Sequence, residues 1–183
     1  RTEFRNGWQM DVSYTNGVNE IDYNTSNSVN YSYVNYLRYE QGLGDAEIRS
    51  SVPRSADAYG LELGLQTFNL DFNKSFGDLS LATGFEYRID NYKIIPGEEY
   101  AYTDYDTDLN NGGAALYPKN AEGGIQGFHG IAPGSSVDED RSVVSAFVDG
   151  DYQLTDSLLV SAALRFDDYE DFGNTTNFKL GAN

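Results

Sequence analysis

The chain has 183 residues, enough for one ordinary domain or for a piece of a larger protein. Its 29 acidic and 12 basic residues give a formal charge of -17, which argues against nucleic-acid binding because phosphates are neutralised by Lys and Arg. The sequence has no Cys, which excludes disulfides and thiolate metal sites, and its 15 Tyr and 10 Phe are too many for a disordered acidic tail.

No stretch approaches the roughly 18 consecutive apolar residues of a spanning helix, and residues 1–12 lack the basic start and apolar run of a secretory signal. A membrane role is therefore expected only through tilted β-strands of about 9–11 residues with one apolar and one polar face. The sequence breaks off within a strand-like pattern, and we expect it to be a fragment of a larger protein.

Strict alternation of apolar and polar residues predicts β-strands along most of the chain. In the first strand Trp8, Met10, Val12 and Tyr14 share one face. The same pattern recurs with an apolar face formed by Leu79, Leu81, Phe85, Tyr87 and Ile89, then Val144, Ala146, Val148, Tyr152 and Leu154, then Leu158, Val160, Ala162, Leu164 and Phe166, and finally Phe178, Leu180 and Ala182.

The alternation slips within residues 60–72. Leu61, Leu63 and Leu65 occupy odd positions, whereas Phe68, Leu70 and Phe72 occupy even ones. One strand cannot present both sets on the same face, so the pattern predicts a bulge near Gln66 and Thr67. The alternative is a weaker strand that changes environment along its length.

The connections between the predicted strands are of two kinds. Residues 74–78 and 153–156 form tight turns, whereas residues 16–57 and 96–140 form long polar loops. Residues 28–41 are compatible with a short helix that ends at Gly42, because Val29, Tyr33, Tyr36 and Leu37 share a face. Short turns on one side and long loops on the other are typical of outer-membrane barrels, and the pattern predicts about six antiparallel up-and-down strands of a partial transmembrane barrel.

Three stretches carry a resemblance to a known family: QTFNLD at 66–71 with ATGFEYR at 82–88, GFHG at 127–130 with RSVVSAFVD at 141–149, and ALRFDDY at 163–169 with DFGNTTNFK at 171–179. In order and spacing they resemble the β-barrel of TonB-dependent outer-membrane receptors from about Gly60 to the end, and more loosely before it.

The resemblance implies energy-coupled import of a scarce nutrient across the bacterial outer membrane, most often a ferric siderophore and sometimes a vitamin or an oligosaccharide. Such receptors have about 22 strands and an N-terminal plug. Residues 1–183 are therefore expected to be one fragment of the barrel domain, with the plug, the TonB-binding segment and the other strands outside this sequence. The implied partners are outer-membrane lipid and lipopolysaccharide, a small nutrient ligand, and TonB and the plug through the full-length protein.

The second long loop contains the candidate ligand-binding residues. Tyr100, Tyr102 and Tyr105 offer flat apolar faces with one polar tip, which suits capture of a siderophore or a sugar. His129 is the only His and is a candidate contact or pH-sensitive group. Tyr is also common in extracellular loops, and a loop His can simply pack beside its neighbours, so structural roles are the alternatives.

The polar faces of the predicted strands carry charges of both signs: Glu86, Arg88, Asp90, Asp149, Asp151, Arg165 and Asp167. We expect these residues to face the lumen and to form cross-strand salt bridges rather than a catalytic site. A polar lumen is also what any water-filled or plugged barrel requires.

The run Asp104, Asp106 and Asp108 invites a Ca²⁺ interpretation. An EF-hand loop needs Gly at its sixth position and a carboxylate at its twelfth, but Leu109 and Ala115 stand there, so a solvated acidic loop is favoured.

The sequence has no nucleophile elbow and no phosphate loop. We therefore expect neither an enzyme nor a bound cofactor.

Two other classes of protein fit parts of the pattern. A secreted acidic β-sandwich that binds carbohydrate through Tyr would bury its apolar strand faces against each other. A passive porin-type barrel would share the strands but lack the plug.

Overall fold

The computed structural model describes residues 1–183, apart from the side chain of Leu109. Its β-strands are β1 (Thr2–Glu3), β2 (Gln9–Ser26), β3 (Ser55–Phe76), β4 (Leu79–Pro96), β5 (Thr107–Asp108), β6 (Ala114–Ala115), β7 (Val137–Thr155), β8 (Leu158–Tyr169) and β9 (Gly173–Ala182). The α-helices are α1 (Tyr31–Tyr39), α2 (Asp45–Ser51) and α3 (Glu99–Tyr102), and residues 109–111 and 133–135 form single 3₁₀ turns.

The six long strands and the two-residue β1 form one sheet in the order β1-β2-β3-β4-β7-β8-β9, and β5 pairs with β6 separately. Neighbours along the chain pair antiparallel, which confirms the predicted all-β up-and-down arrangement. The tight turns also lie where they were predicted: Gly77 and Asp78 connect β3 to β4, with Gly77 at φ +63°, and Asp156 and Ser157 connect β7 to β8.

The chain divides into two compact units. We call residues 1–18, 63–91 and 139–183 the strand unit, and residues 19–62 and 92–138 the loop unit. The loop unit contains all three α-helices together with β5 and β6.

The strand unit exposes its apolar face and covers its polar face. Val148, Leu164 and Phe178 are 41%, 48% and 79% exposed, whereas Ser145 and Asp167, which pair across β7 and β8, are buried. This is the reverse of a water-soluble sandwich, which buries its apolar faces, and it is what lipid-facing strands require.

The bulge predicted near Gln66 and Thr67 stays a prediction. Leu63, Leu65 and Phe68 are exposed and Thr67 is buried, so the exposed side chains change from odd to even positions within β3. This change of phase at Gln66 agrees with a bulge and equally with the alternative, a strand that changes environment along its length.

Gly84 allows the aromatic ring of Phe147 to approach the backbone of β4 closely. A Cβ atom at Gly84 would lie 2.5 Å from Cε1 of Phe147 and 2.3 Å from Oδ1 of Asp71. Only Gly leaves room for a ring this close to the backbone of a neighbouring strand.

The predicted helix in the first long loop is confirmed with narrower bounds. Asn30 caps α1 by accepting a hydrogen bond from the backbone NH of Tyr33, and Gly42, at φ +67°, follows the helix end. The buried side chains of α1 are Ser32, Asn35 and Leu37, whereas Tyr33 and Tyr36, which were expected to share a face, stack on each other and are half-buried. The polar side chains are buried because α1 packs against backbone carbonyls and a carboxylate, which need hydrogen-bonding partners.

The helix α2 was not predicted. Its first turn is stabilised by Asp45 and Glu47, and the Glu47 carboxylate accepts a hydrogen bond from the backbone NH of Gly44 at 2.9 Å. Ile48 is its buried residue.

Candidate functional site

Asn30 joins several segments of the loop unit through the hydrogen bonds of its side chain. Its side chain is fully buried, and Nδ2 donates to the carbonyl oxygens of Tyr100 and Thr103 at 3.0 and 2.8 Å. Oδ1 accepts from Ser32 Oγ at 2.6 Å and from the NH of Tyr33 at 3.3 Å. One amide therefore caps α1 and holds the end of α3 against it.

The hydroxyl group of Tyr100 forms two hydrogen bonds within the loop unit. The hydroxyl accepts from the backbone NH of Asn30 and donates to the carbonyl of Pro53, each at 2.8 Å. Burial raises the pKa of Tyr100, and the ring packs edge-on against Tyr33. Its hydrogen-bonding capacity is thus committed within the protein.

Tyr105 lies in the same aromatic cluster as Tyr100. Its ring centroid is 4.9 Å from that of Tyr33 and 6.1 Å from that of Tyr36. Burial, with the nearby charge of Glu99, raises the pKa of Tyr105 to about 12. Tyr102 ends α3 and is half-buried. The structure therefore brings Tyr100 and Tyr105 together around Tyr33.

His129 is exposed at the turn that GFHG forms, and its ring lies against the backbone of Gly124. A Cβ at Gly124, where φ is +75°, would lie 2.2 Å from Nδ1 of His129. The turn is anchored through Gly130, whose NH donates to the Ala101 carbonyl at 2.9 Å. The imidazole is packed on one side and open on the other.

A second aromatic group was missed by the sequence reasoning. Tyr23, Tyr59 and Phe128 stack with centroid separations of 4.7 to 5.6 Å, and Phe128 is exposed. The hydroxyl of Thr25 donates to the Phe128 carbonyl and fixes the turn. Tyr23 lies in β2, within a segment that was expected to be a loop, and Tyr59 lies in β3, just after that segment.

Asp106 is fully buried, in contrast to the solvated loop expected from the sequence. Oδ2 accepts from Asn35 Nδ2 at 2.6 Å and from the NH of Ala121 at 2.9 Å, and burial raises the pKa of Asp106. Asp108 caps the following 3₁₀ turn through the NH of Asn110. Among the described residues, no group of three or more His, Asp or Glu side chains is arranged to hold a metal ion.

The composition of the loop unit is unusual. It contains 11 of the 15 Tyr, and 14 acidic residues against five Lys or Arg. Aromatic faces are thus concentrated in a unit of negative formal charge, which repels polyanions.

The strand unit carries a network of ion pairs on its polar face. Arg165 bridges Glu86 at 2.8 Å and Asp167 at 2.7 Å, and Asp167 also accepts from Ser145 Oγ at 2.7 Å. Asp90 pairs with Arg141 at 3.0 Å and with Arg88 at 3.1 Å. The pairs Glu86–Arg165 and Asp90–Arg141 join different strands, so the expected cross-strand salt bridges are confirmed at these residues, whereas Asp149 and Asp151 are in none of the ion pairs described.

Three cavities border polar residues of the strand unit. One, of about 510 Å³, is lined by Ala82, Phe147, Ala163 and Arg165, and also by Val148, Leu164 and Phe178. Two smaller cavities of about 210 Å³ each are bordered by Asp149 and Asp151. Of the charged residues predicted to face the lumen, Arg165, Asp149 and Asp151 therefore border concave surface.

The model of the family described as TonB dependent receptor-like, beta-barrel, matches residues 1–183. The chain belongs to this family. TonB-dependent receptor barrels lie in the bacterial outer membrane and serve transport across it. No curated protein matches the chain.

Membership of the receptor family agrees with the exposed apolar faces and contradicts the secreted β-sandwich. The family is a transporter family. None of the described helices of this receptor chain is long and apolar enough to cross a membrane.

Proposed function

We propose that this barrel segment belongs to a receptor that imports a scarce nutrient with energy supplied through TonB, and that the loop unit captures the ligand. The observation that supports this is the concentration of 11 Tyr in the loop unit, most of them outside the lipid-facing pattern of the strands. Tyr provides large contact area at low conformational cost, which suits capture of small ligands.

The ligand class that fits best is a neutral or cationic ferric chelate. The loop unit has nine more acidic than basic residues, so a highly anionic complex would be repelled as it approached. A vitamin or an oligosaccharide is the second candidate, and the stack of Tyr23, Tyr59 and Phe128 favours it because aromatic faces can pack against sugar rings.

Among the candidate contacts, His129 and Tyr102 are the better placed. His129 keeps one side of its ring open, and Tyr102 ends α3, where the neighbouring Ala101 carbonyl accepts from the NH of Gly130 beside His129. Tyr100 and Tyr105 support the loop from within, since the Tyr100 hydroxyl is occupied and Tyr105 packs against two rings.

The polar face of the strand unit lines the conduit and faces the plug in the full-length receptor. Glu86, Arg88 and Arg165 form the paired part of that wall, and Asp149 and Asp151 border its smaller cavities. A wall of paired charges offers hydrogen bonds to the plug without a large net field.

The proposal is tested with the full-length receptor in cells with and without TonB. We expect uptake of a neutral trihydroxamate iron complex that requires TonB, and little uptake of a triply anionic tricatecholate complex. Labelled maltooligosaccharide tests the second candidate. Uptake that is equal without TonB would mean a passive barrel and would overturn the proposal.

Variants assign the contacts. His129→Ala and Tyr102→Ala should each weaken binding of the transported probe about tenfold, whereas Tyr87→Ala, on the exposed apolar face of β4, should leave it unchanged. Unchanged binding in both loop variants would remove these residues from the site.

A further inference from the structure

Asp106 ties three parts of the loop unit together. Its carboxylate oxygen Oδ2 holds Asn35 of α1 and the NH of Ala121, and its carbonyl accepts from the NH of Leu116 at 2.8 Å. Asn35 also donates to the carbonyl of Lys119 at 2.9 Å. Residues 104–121 are thus fixed to α1 around one buried acidic side chain.

The other carboxylate oxygen, Oδ1, is buried and has no hydrogen-bond partner. Asp106 forms no ion pair in the part of the chain that the structure describes. A buried carboxylate without a cation and with an unused oxygen is costly, because the charge has lost its water. Asn35 and the NH of Ala121, which donate to Oδ2, favour the charged form, but the loss of water outweighs them, and the pKa of Asp106 is raised.

The titratable groups around Asp106 do little to offset the cost of burying its negative charge. Asp104 lies beside it, accepting a hydrogen bond from the NH of Asp106 at 3.1 Å, and its negative charge opposes ionisation of Asp106. Tyr117 of the returning segment interacts electrostatically with Asp106, and also with Tyr36 of α1 and with Glu40, which follows α1; none of these groups is basic. Lys119 engages this cluster through its backbone carbonyl.

We propose that Asp106 is a proton-operated latch: with one proton from solvent on its carboxyl group it holds residues 104–121 against α1, and on losing that proton it releases them. The latch stands on the burial and hydrogen bonding of Asp106 and does not depend on which ligand the receptor carries.

The direction of the effect follows from linkage. Burial raises the pKa of Asp106 in the folded loop unit above its unfolded value. The stabilisation is therefore complete below the unfolded pKa of about 4 and is lost as the pH rises through the folded pKa. The loop is tightest in acid and loosens toward neutral and alkaline pH.

The test is hydrogen exchange of the full-length receptor in liposomes between pH 4 and 8, with each rate corrected for the intrinsic pH dependence. The reporter is the NH of Ala121, which donates to Asp106, and the reference is the NH of Ile48 in α2. Asp106→Asn mimics the protonated state. Glu122→Gln is the matched control, since Glu122 is exposed in the same segment.

We expect the corrected exchange at Ala121 to rise at least tenfold from pH 4 to pH 8 in the native receptor and in Glu122→Gln, relative to Ile48. In Asp106→Asn it should stay within twofold. A flat ratio in the native receptor would overturn the proposal even if Asp106→Asn fails to fold. Restored protection at pH 8 by millimolar Ca²⁺ would also overturn it, because the carboxylates would then be a cation site.

Discussion

Replacing Asn30 should lower the free energy of local opening of the loop unit much more than replacing Asn24. Asn30→Ala removes four side-chain hydrogen bonds, to Tyr100, Thr103, Ser32 and Tyr33. At about 1 kcal/mol each, the loss in local opening free energy is about 4 kcal/mol. Since every 1.4 kcal/mol is tenfold, backbone amides of α1 and α3 should exchange roughly a thousandfold faster.

The assay is native-state hydrogen exchange of the full-length receptor, with two comparison variants. Asn24→Ala removes one exposed hydrogen bond, to Asp57, and should change exchange less than tenfold. Asn30→Asp keeps the oxygen that caps α1 but loses both Nδ2 donors, so its effect should concentrate at residues 100–103. If Asn30→Ala accelerated exchange no more than Asn24→Ala, the central role of this amide would be refuted.

Three further predictions concern single positions. Val148 lies on the exposed apolar face, and Val148→Arg should lower the unfolding free energy of the full-length receptor in liposomes by about 2–4 kcal/mol if the side chain meets lipid. Asp149→Arg, on the polar face, should change the unfolding free energy far less. Equal effects of the two variants in denaturant titrations would contradict the assignment of faces. Gly124→Ala should destabilise the loop unit more than Gly112→Ala in hydrogen exchange, because both have positive φ but only Gly124 lies against other atoms; similar losses would mean that backbone strain alone matters. Tyr105 should ionise at about pH 12 in an ultraviolet titration. The stabilisation of the folded loop unit that is linked to this raised pKa should be complete below pH 10 and lost as the pH rises to about 12. A transition at pH 10 that Tyr105→Phe removes would contradict the burial of this residue.

The strands were predictable because apolar and polar residues alternate along any strand whose two faces meet different surroundings. Val148 and Leu164 share an apolar face whether that face meets lipid or a protein core, and the resemblance to a receptor decided between them. At Leu61, Leu63 and Leu65 the alternation alone could not decide between a bulge and a change of environment, because it assumes that each face keeps one environment along the whole strand.

The loop unit was less predictable, since its stability comes from polar contacts between residues distant in sequence. Asn30 and Tyr100, or Asn35 and Asp106, are about 70 residues apart, and each pair is joined by hydrogen bonds that no local pattern encodes. The run of Asp residues was noticed, but the burial of Asp106 could be seen only after the chain had folded.

The contact between Gly84 and Phe147 constrains how the polar wall can change. Any larger side chain at Gly84 would have to push the ring away from the backbone and into the space in front of the sheet. The side chains at these two positions on neighbouring strands are therefore coupled, and a protein engineer who wishes to change one must vary both as a pair.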